Sequence, residues 1–589
     1  MKTKKNPVFK YAAQNWWRYL IGTITLLASV ALSIWAPIVT MSIVDDVIMD
    51  GKTEMLWDNL MCLLIIGFGR GLVQYIKEFT FDVVGSRVGS MSRKYLFNHI
   101  QTLSQSFFYR NNTGELMARV KDDIVNVWDA FGFVGMLIIE AFIYTVGTIV
   151  VMLKLNWQLS IIPLLALPVL AFLAFKLENK LDKIYGRISE QNATLNTVVQ
   201  ENLSGVRTVK SFAREEYELE KFRKNNDEYA KLNVEQATVM ANVEPIITYI
   251  PKIMQLGVVL VGGISVINGN ITLGLLTTFI QYSSNIVWPM ENMGWLVNAL
   301  ASAIASNKKI NKILAEEPEI KNDENPVELQ EAKGDLKFEN VSFEINGAKV
   351  LQDVSFNLPK GKTLGVMGIT GSGKSTIVNL IGRFYDVTDG SITLDGVDIR
   401  QLPLEQVRNN ASVVTQDVFL FSDTIKENVR LGARKSMEDE RVKNALDLSH
   451  ASEFVNKLDE GFDTVIGERG VGLSGGQKQR ISIARALAKK SNILILDDST
   501  SALDMETEYE IQKELSEHKD MSKIIIAHRI SSVRNADEII ILDGGKIAER
   551  GTHEELLAAK GLYYSTYEAQ YGDYRKALGV LGEEVVKCR

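Results

Sequence analysis

Six apolar stretches, each long or nearly long enough to cross a lipid bilayer, crowd into the first 300 of 589 residues. They run roughly over 18–40, 58–80, 131–153, 157–176, 246–267 and 271–293. A hydrocarbon core about 30 Å thick takes about 20 residues of apolar helix to span. In lipid every backbone amide must be satisfied within the protein, so stretches of this kind form helices. A soluble protein would need six buried helices that all lack a polar face, against the usual patterning of soluble helices. Pro163, Pro168, Pro251 and Pro289 fall in the last three stretches, where neighbouring helices can satisfy the freed backbone.

Loop charge orients these spans. Lys2, Lys4, Lys5, Lys10 and Arg18 gather at the N-terminal side, whereas Asp45, Asp46, Asp50, Glu54 and Asp58 face a lone Lys52 after the first span. Positive residues favour the cytoplasm, so the N-terminus is expected inside and that acidic loop outside. The other outer loops are tiny, 154–156 and 268–270. The inner loops, 81–130 and 177–245, are long and carry charge at helical spacing. An even number of spans returns the chain to the cytoplasm, where Lys308, Lys309 and Lys312 follow. The first apolar stretch is too long for a signal-peptide core and no small-residue cleavage site follows it, so it reads as a retained span. Residues 1–314 are therefore expected to form a membrane domain.

The composition, 46% hydrophobic with 23% charged, averages an apolar first half and a polar second half. A net charge of −7 gives no case for nucleic acid binding. Two cysteines, Cys62 and Cys588, and five histidines allow no disulfide framework or Cys-rich metal site. Residues 315–334, acidic, with Pro318 and Pro326 and no apolar period, read as a solvated linker.

Beyond the linker the pattern turns to short β-rich runs and helices. Residues 362–367 read as a buried strand that enters Gly368-Ile369-Thr370-Gly371-Ser372-Gly373-Lys374-Ser375 and then a helical run from Thr376. This is the strand–loop–helix context a phosphate-binding loop requires. Glycines let backbone N–H groups converge on phosphate oxygens, and the helix N-terminus adds its dipole. Lys374 is placed to reach the β- and γ-phosphates of ATP, and Ser375 to ligate Mg²⁺. About 120 residues on, Ile493-Leu494-Ile495-Leu496 read as a central strand with Asp497 at its carboxyl end, placed to hold Mg²⁺ through water. The expected fold is a six-span α-helical membrane domain with long cytoplasmic helical extensions, fused to an α/β P-loop ATPase over 335–570. A tail over 571–589 follows.

Leu473-Ser474-Gly475-Gly476-Gln477-Lys478-Gln479-Arg480, preceded by Gly467-Glu468-Arg469-Gly470, resembles the signature motif of the ATP-binding cassette (ABC) family. Its hydroxyl and backbone N–H groups precede a helix start near Gln477, a second anion-binding cradle. The resemblance implies a head-to-tail dimer with nucleotide sandwiched between subunits. It also implies roles for three further segments. Gln416 in Val413-Val414-Thr415-Gln416-Asp417 resembles the loop that senses Mg²⁺ and couples to the spans. Ser501-Ala502-Leu503-Asp504 resembles the loop that crosses the dimer, and His528 the histidine contacting the γ-phosphate.

The first half resembles the exporter branch of the same family. Phe107-Phe108, Thr113-Gly114-Glu115-Leu116, Arg119 and Asp123 look like its first cytoplasmic coupling segment. Glu201, Gly205, Val209-Lys210, Phe212 and Glu215 look like its second cytoplasmic loop. The likeness covers about 10–570 and implies an exporter half in a bacterial cell membrane, with both termini cytoplasmic and a second half-transporter as partner.

Two positions depart from the family pattern. Asp498 stands where a glutamate usually polarises the attacking water; one methylene fewer withdraws the carboxylate by about 1–1.5 Å. A misplacement of about 1 Å can cost on the order of 10²-fold in rate. Ile345 stands where an aromatic usually stacks on adenine; either Ile345 packs on the base face or Phe343 does that work. With residues 474–477 intact, the chain resembles the degenerate-site subunit of heterodimeric bacterial multidrug-type exporters. Its partner would carry a catalytic glutamate and a degenerate signature.

Charges inside spans are costly and mark function by default. Arg70 and Glu140 are expected to pair with each other or to line a substrate cavity. Trp288, Met290, Met293 and Trp295 around Pro289 offer an adaptable apolar lining for small amphiphiles. Lipid or glycolipid flipping and peptide export use the same fold. No cysteine-protease-like segment precedes the first span, which counts against leader-peptide processing. The rival from another class is an ATPase sensor that moves nothing across the membrane.

Overall fold

In a computed structural model, which describes residues 7–432, 437–467 and 470–571, the second, fourth and fifth apolar stretches lie within helices much longer than a bilayer is thick. Met55–Gln101, Trp157–Ser204 and Glu215–Ile267 hold 47, 48 and 53 residues. At 1.5 Å per residue each runs to about 70–80 Å. The charge at helical spacing in the inner loops is thus the continuation of the spanning helices. Trp157–Ser204 and Glu215–Ile267 are joined along their polar ends by Arg187 to Glu235 at 2.9 Å, Lys221 to Glu201 at 3.3 Å and Asn202 to Glu218 at 2.8 Å.

Five helical segments among the described residues are long and apolar enough to cross a membrane: Trp16–Met49, Met55–Gln101, Thr113–Leu155, Trp157–Ser204 and Glu215–Ile267. The sixth apolar stretch differs from the expected continuous span. It is divided into Leu273–Asn285, Val287–Glu291 and Met293–Ala315. Pro289 explains the first break: it has no N–H to give the Asn285 carbonyl, and its ring crowds that oxygen.

The first span carries its own proline, Pro37, yet stays helical. Hydroxyls of the sixth stretch reach its carbonyls: Thr278 donates to Pro37 at 3.0 Å and Tyr282 to Ile34 at 2.6 Å. One turn outward, Asp45 accepts from the Gly274 amide at 2.7 Å.

The chain divides into two compact units, 1–103 with 110–317, and 104–109 with 318–589. The second is built on two sheets. One is antiparallel in the order β2-β1-β4-β5, from β1 (Leu336–Ile345), β2 (Ala348–Leu358), β4 (Asp389–Leu394) and β5 (Val397–Asp398). The other runs β10-β9-β3-β8-β7-β6, from β3 (Thr363–Gly368), β6 (Ala411–Val414), β7 (Ile493–Asp497), β8 (Ser522–Ile526), β9 (Glu538–Asp543) and β10 (Lys546–Gly551). In it β9, β3, β8, β7 and β6 are parallel. Their near-continuous apolar runs suit strands covered on both faces. A separate apolar cluster around Leu420, Ile425, Val442, Phe454 and Ile481 supports the helices that carry the second cradle.

The acidic connector is exposed along most of its length, as its composition suggests, but it is anchored to the ATPase-like unit rather than loose. Val327 N donates to the Gln401 carbonyl, Gln406 brackets Leu329 from both sides, and Asp395 accepts from the amides of Lys333 and Asp335. These amides are satisfied by the ATPase-like unit itself, and composition carries no signal of that.

Candidate functional site

β3 ends at Gly368, and the helix Lys374–Ile381 begins six residues later. The turn between them needs left-handed backbone at Gly371 (φ +84°) and Gly373 (φ +102°). At Gly373 a Cβ would also sit 2.6 Å from Leu351. Lys374 Nζ donates to the carbonyls of Gly368 and Ile369, at 2.8 and 2.9 Å. Burial holds its pKa below the ordinary lysine value, with Asp497 and Asp498 opposing the shift. The Ser372 hydroxyl is buried without a hydrogen-bond partner in the structure. Ile369, Thr370 and Ser375 are exposed at the mouth of the turn, and Thr376 is half-buried.

β7 delivers Asp497 beside this turn, where the nearby Ser375 side chain favours its carboxylate form. Burial pushes the Asp497 carboxyl above its usual range, and Lys374 and His528 pull it back. A desolvated carboxylate beside a hydroxyl and a lysine is a donor set that fits a hard divalent ion and phosphate oxygens. Asp498 adopts a left-handed backbone (φ +46°), and its amide bonds the Ile526 carbonyl of β8 at 2.8 Å. Its carboxylate lies 3.4 Å from the Gln416 amide. His528 is exposed just beyond β8, and its carbonyl accepts from Gln570. Asp497, Asp498, Gln416, Lys374, Ser375 and His528 therefore stand together at the carboxyl ends of neighbouring parallel strands, where open α/β sheets bind ligands.

The second cradle lies elsewhere on the same unit. Ser474 caps the helix Gly475–Ala488 through a reciprocal capping box with Gln477. The helix thus starts at Gly475, two residues earlier than the sequence reading placed it. Ser474 and Gly475 are exposed, and a Cβ at Gly476 would sit 3.1 Å from the Ala502 carbonyl oxygen. Glu468 and Arg469 of the preceding motif lie outside the described residues.

The two residues offered for adenine are placed differently. Phe343 is buried in the core with its ring 5.5 Å from that of Tyr385, whereas Ile345 is exposed at the end of β1.

Two family models match the chain: the ABC transporter transmembrane region over residues 19–290 and the ABC transporter over 351–501. A probable multidrug resistance ABC transporter ATP-binding/permease protein of Bacillus subtilis, YheI, is 36% identical over 566 residues, 94% of this chain and 95% of that protein. The chain belongs to the ABC transporter family.

This exporter is also 33% identical over 569 residues to an ATP-dependent lipid A-core flippase of Syntrophus aciditrophicus, covering 96% of this chain and 94% of the relative. A bacterial Atm1-family ABC exporter solved with ATP bound shares its fold at a TM-score of 0.79 with 25% identity, over 94% of this chain and 98% of the other. It is thus an exporter with a helical transmembrane domain fused to an ABC ATPase, and its class hydrolyses ATP to drive transport as dimers in the bilayer.

In the exporter's membrane half, Glu140 does not pair with Arg70. Its two carboxylate oxygens lie 2.7 Å from Nζ of Lys77, which is fully buried, while Arg70 is exposed. The sequence reading overlooked Lys77 although it stands inside the second stretch. Its spacing of seven from Arg70, which sets both on one helical stripe, was the available signal. Trp288 and Trp295 flank the interrupted helix and are roughly half exposed, with Met290 buried between them.

Gly114 and Glu115 sit in the short helix Thr113–Ala118, capped by Asn112. Glu115, Arg119 and Asp123 form a chain of ion pairs at 2.5 and 2.8 Å, and Ser306 donates to Asp123 at 2.6 Å. The coupling pattern is split between units: Phe107 and Phe108 belong to the second, Gly114 to Asp123 to the first.

Proposed function

We propose that this chain is one half of a heterodimeric exporter of small amphiphilic molecules, and that its own composite ATP site turns over slowly. The observation that carries the reading is Asp498 at the water-polarising position beside intact signature residues 474–477. Lys374, with the amides of residues 368–376, would hold ATP phosphates; Ser375, Asp497 and Gln416 would hold Mg²⁺, which neutralises charge on the β- and γ-phosphates. Ile345 would pack on adenine, and His528 would contact the γ-phosphate. The Gln416 amide, on the loop after β6, donates to the carboxylate of Asp498, which supports a short side chain already engaged within its own ATPase unit. Residues 474–477 would cap ATP held by a partner chain that carries a glutamate. Gly114 and Glu115 would transmit the ATPase cycle to the spans. The termini would lie on the cytoplasmic side of a bacterial cell membrane.

Arg70 with Trp288 and Trp295 would line the substrate path, and exposed aromatic and cationic groups suit amphiphiles of mixed charge. Lipid flipping is the second reading, favoured by relatives named lipid A-core flippases that match nearly the whole chain. Sealed proteoliposomes containing the chain and its partner decide between them. ATP-dependent accumulation of an amphiphilic dye supports the first reading, and translocation of a labelled lipid without dye transport supports the second. ATP hydrolysis with neither would point to a sensor.

A further inference from the structure

The helix Met505–Glu517 turns an inward stripe toward the ATPase core through Glu508, Ile511 and Leu515, all buried. Positions 508, 511 and 515 share one helical face, where an apolar residue is the stabilising choice. A buried carboxylate there costs free energy unless it is well hydrogen-bonded. Glu508 is: its Oε1 accepts from the hydroxyl of Thr500 at 2.9 Å, that of Ser532 at 2.5 Å and the amide of Gln512 at 3.3 Å. Its Oε2 lies 3.7 Å from the Arg529 guanidinium, which in turn donates to the Ser501 carbonyl at 3.3 Å.

The partners of this carboxylate come from two loops. Thr500 and Ser501 follow Asp498 at the end of β7, whereas Arg529 and Ser532 follow His528 at the end of β8. The sheet ladder fixes these loops only as far as the Asp498 amide on Ile526. Beyond it the loops meet where Arg529 donates to the Ser501 carbonyl and where the Thr500 and Ser532 hydroxyls lie 3.5 Å apart, and the Glu508 carboxylate holds both pairs together. An Ile511-like residue at 508 would fill the space but hold neither.

We propose that Glu508 is a positioning residue for ATP hydrolysis. It locks the segment Ser501–Asp504, which crosses to the partner's nucleotide, in register with His528. This rests on the site reading above. Catalysis is sensitive to such register, since a misplacement of about 1 Å can cost on the order of 10²-fold in rate.

The test uses the assembled full-length transporter. Glu508→Leu combined with Thr500→Val and Ser532→Ala replaces the polar cluster by apolar groups of similar size. The expected result is an unchanged melting temperature, a fall in ATPase kcat of about tenfold, and a KM for ATP within about twofold of wild type. Glu508→Gln, which keeps an acceptor oxygen but loses the charge facing Arg529, should fall between, with kcat down about threefold. Wild-type kcat in the triple variant, or a raised KM at unchanged kcat, overturns the proposal. If the triple variant does not fold, Glu508→Gln decides: wild-type kcat overturns the proposal, and reduced kcat at unchanged KM supports it. Ser474→Arg serves as the separate control. Full ATPase activity in that variant would defeat the site reading itself, whatever the Glu508 variants do.

Discussion

Nζ of Lys77 lies 2.7 Å from each carboxylate oxygen of Glu140, and the lysine side chain is wholly buried between helices of the membrane domain. Removing one partner of such a pair strands an uncompensated charge and typically costs about 3–5 kcal/mol. Glu140→Gln should therefore lower the yield and melting temperature of the folded transporter, and Lys77→Met combined with Glu140→Leu should recover both. Arg70→Gln, by contrast, should fold normally and change the ranking of charged against neutral substrates. A Glu140→Gln variant that folds like wild type but changes that ranking would return Glu140 to the substrate path.

Lys374 is the side-chain cation of the phosphate turn, and its ammonium now bonds the carbonyls of Gly368 and Ile369. Phosphate oxygens would replace these neutral acceptors with charged ones, and hydrogen bonds to charged groups contribute about 1.5–3 kcal/mol. Lys374→Ala should weaken photolabelling of this chain by an ATP analogue about tenfold. Labelling at unchanged strength would remove the lysine from the nucleotide site.

The phosphate turn could be read from sequence because its chemistry is local: glycines, lysine and serine at fixed spacing need nothing from elsewhere in the chain. Ser474 and Gln477 form an equally local pattern, a capping box of four residues, yet the helix starts two residues earlier than the sequence suggested. Lys77 with Glu140 was not, because a pair separated by 63 positions depends on how two helices pack. Pro289 was visible, but whether the helix would bend or break there depends on what surrounds the Asn285 carbonyl. The connector misled for a different reason: its acidic side chains face solvent while its backbone amides and Leu329 engage the ATPase unit. Glu508 gave no signal at all, because its partners come from two separate loops.

His553 is buried against Tyr563, whose hydroxyl lies 2.6 Å from Nδ1. Burial, reinforced by Arg534, holds its pKa below the ordinary 6.5. The unfolded chain then binds more protons below pH about 6.5, so stability is full above that pH and falls as pH drops toward the folded value. Between pH 7.5 and 5.5 the melting temperature of wild type should fall more than that of His553→Gln. Parallel slopes in thermal melts at the two pH values would show that His553 does not contribute.

In the proposed heterodimer the two composite sites are unequal, this chain lending an intact signature to the fast site and Asp498 to the slow one. Phosphate release by the transporter purified with its partner tests this asymmetry most directly, comparing Ser474→Arg with Asp498→Asn in this chain. With unequal sites, Ser474→Arg nearly abolishes ATPase activity while Asp498→Asn leaves most of it. The opposite order, or fast hydrolysis by this chain alone that Asp498→Asn eliminates, would make Asp498 a working catalytic residue and the asymmetry of the two sites false.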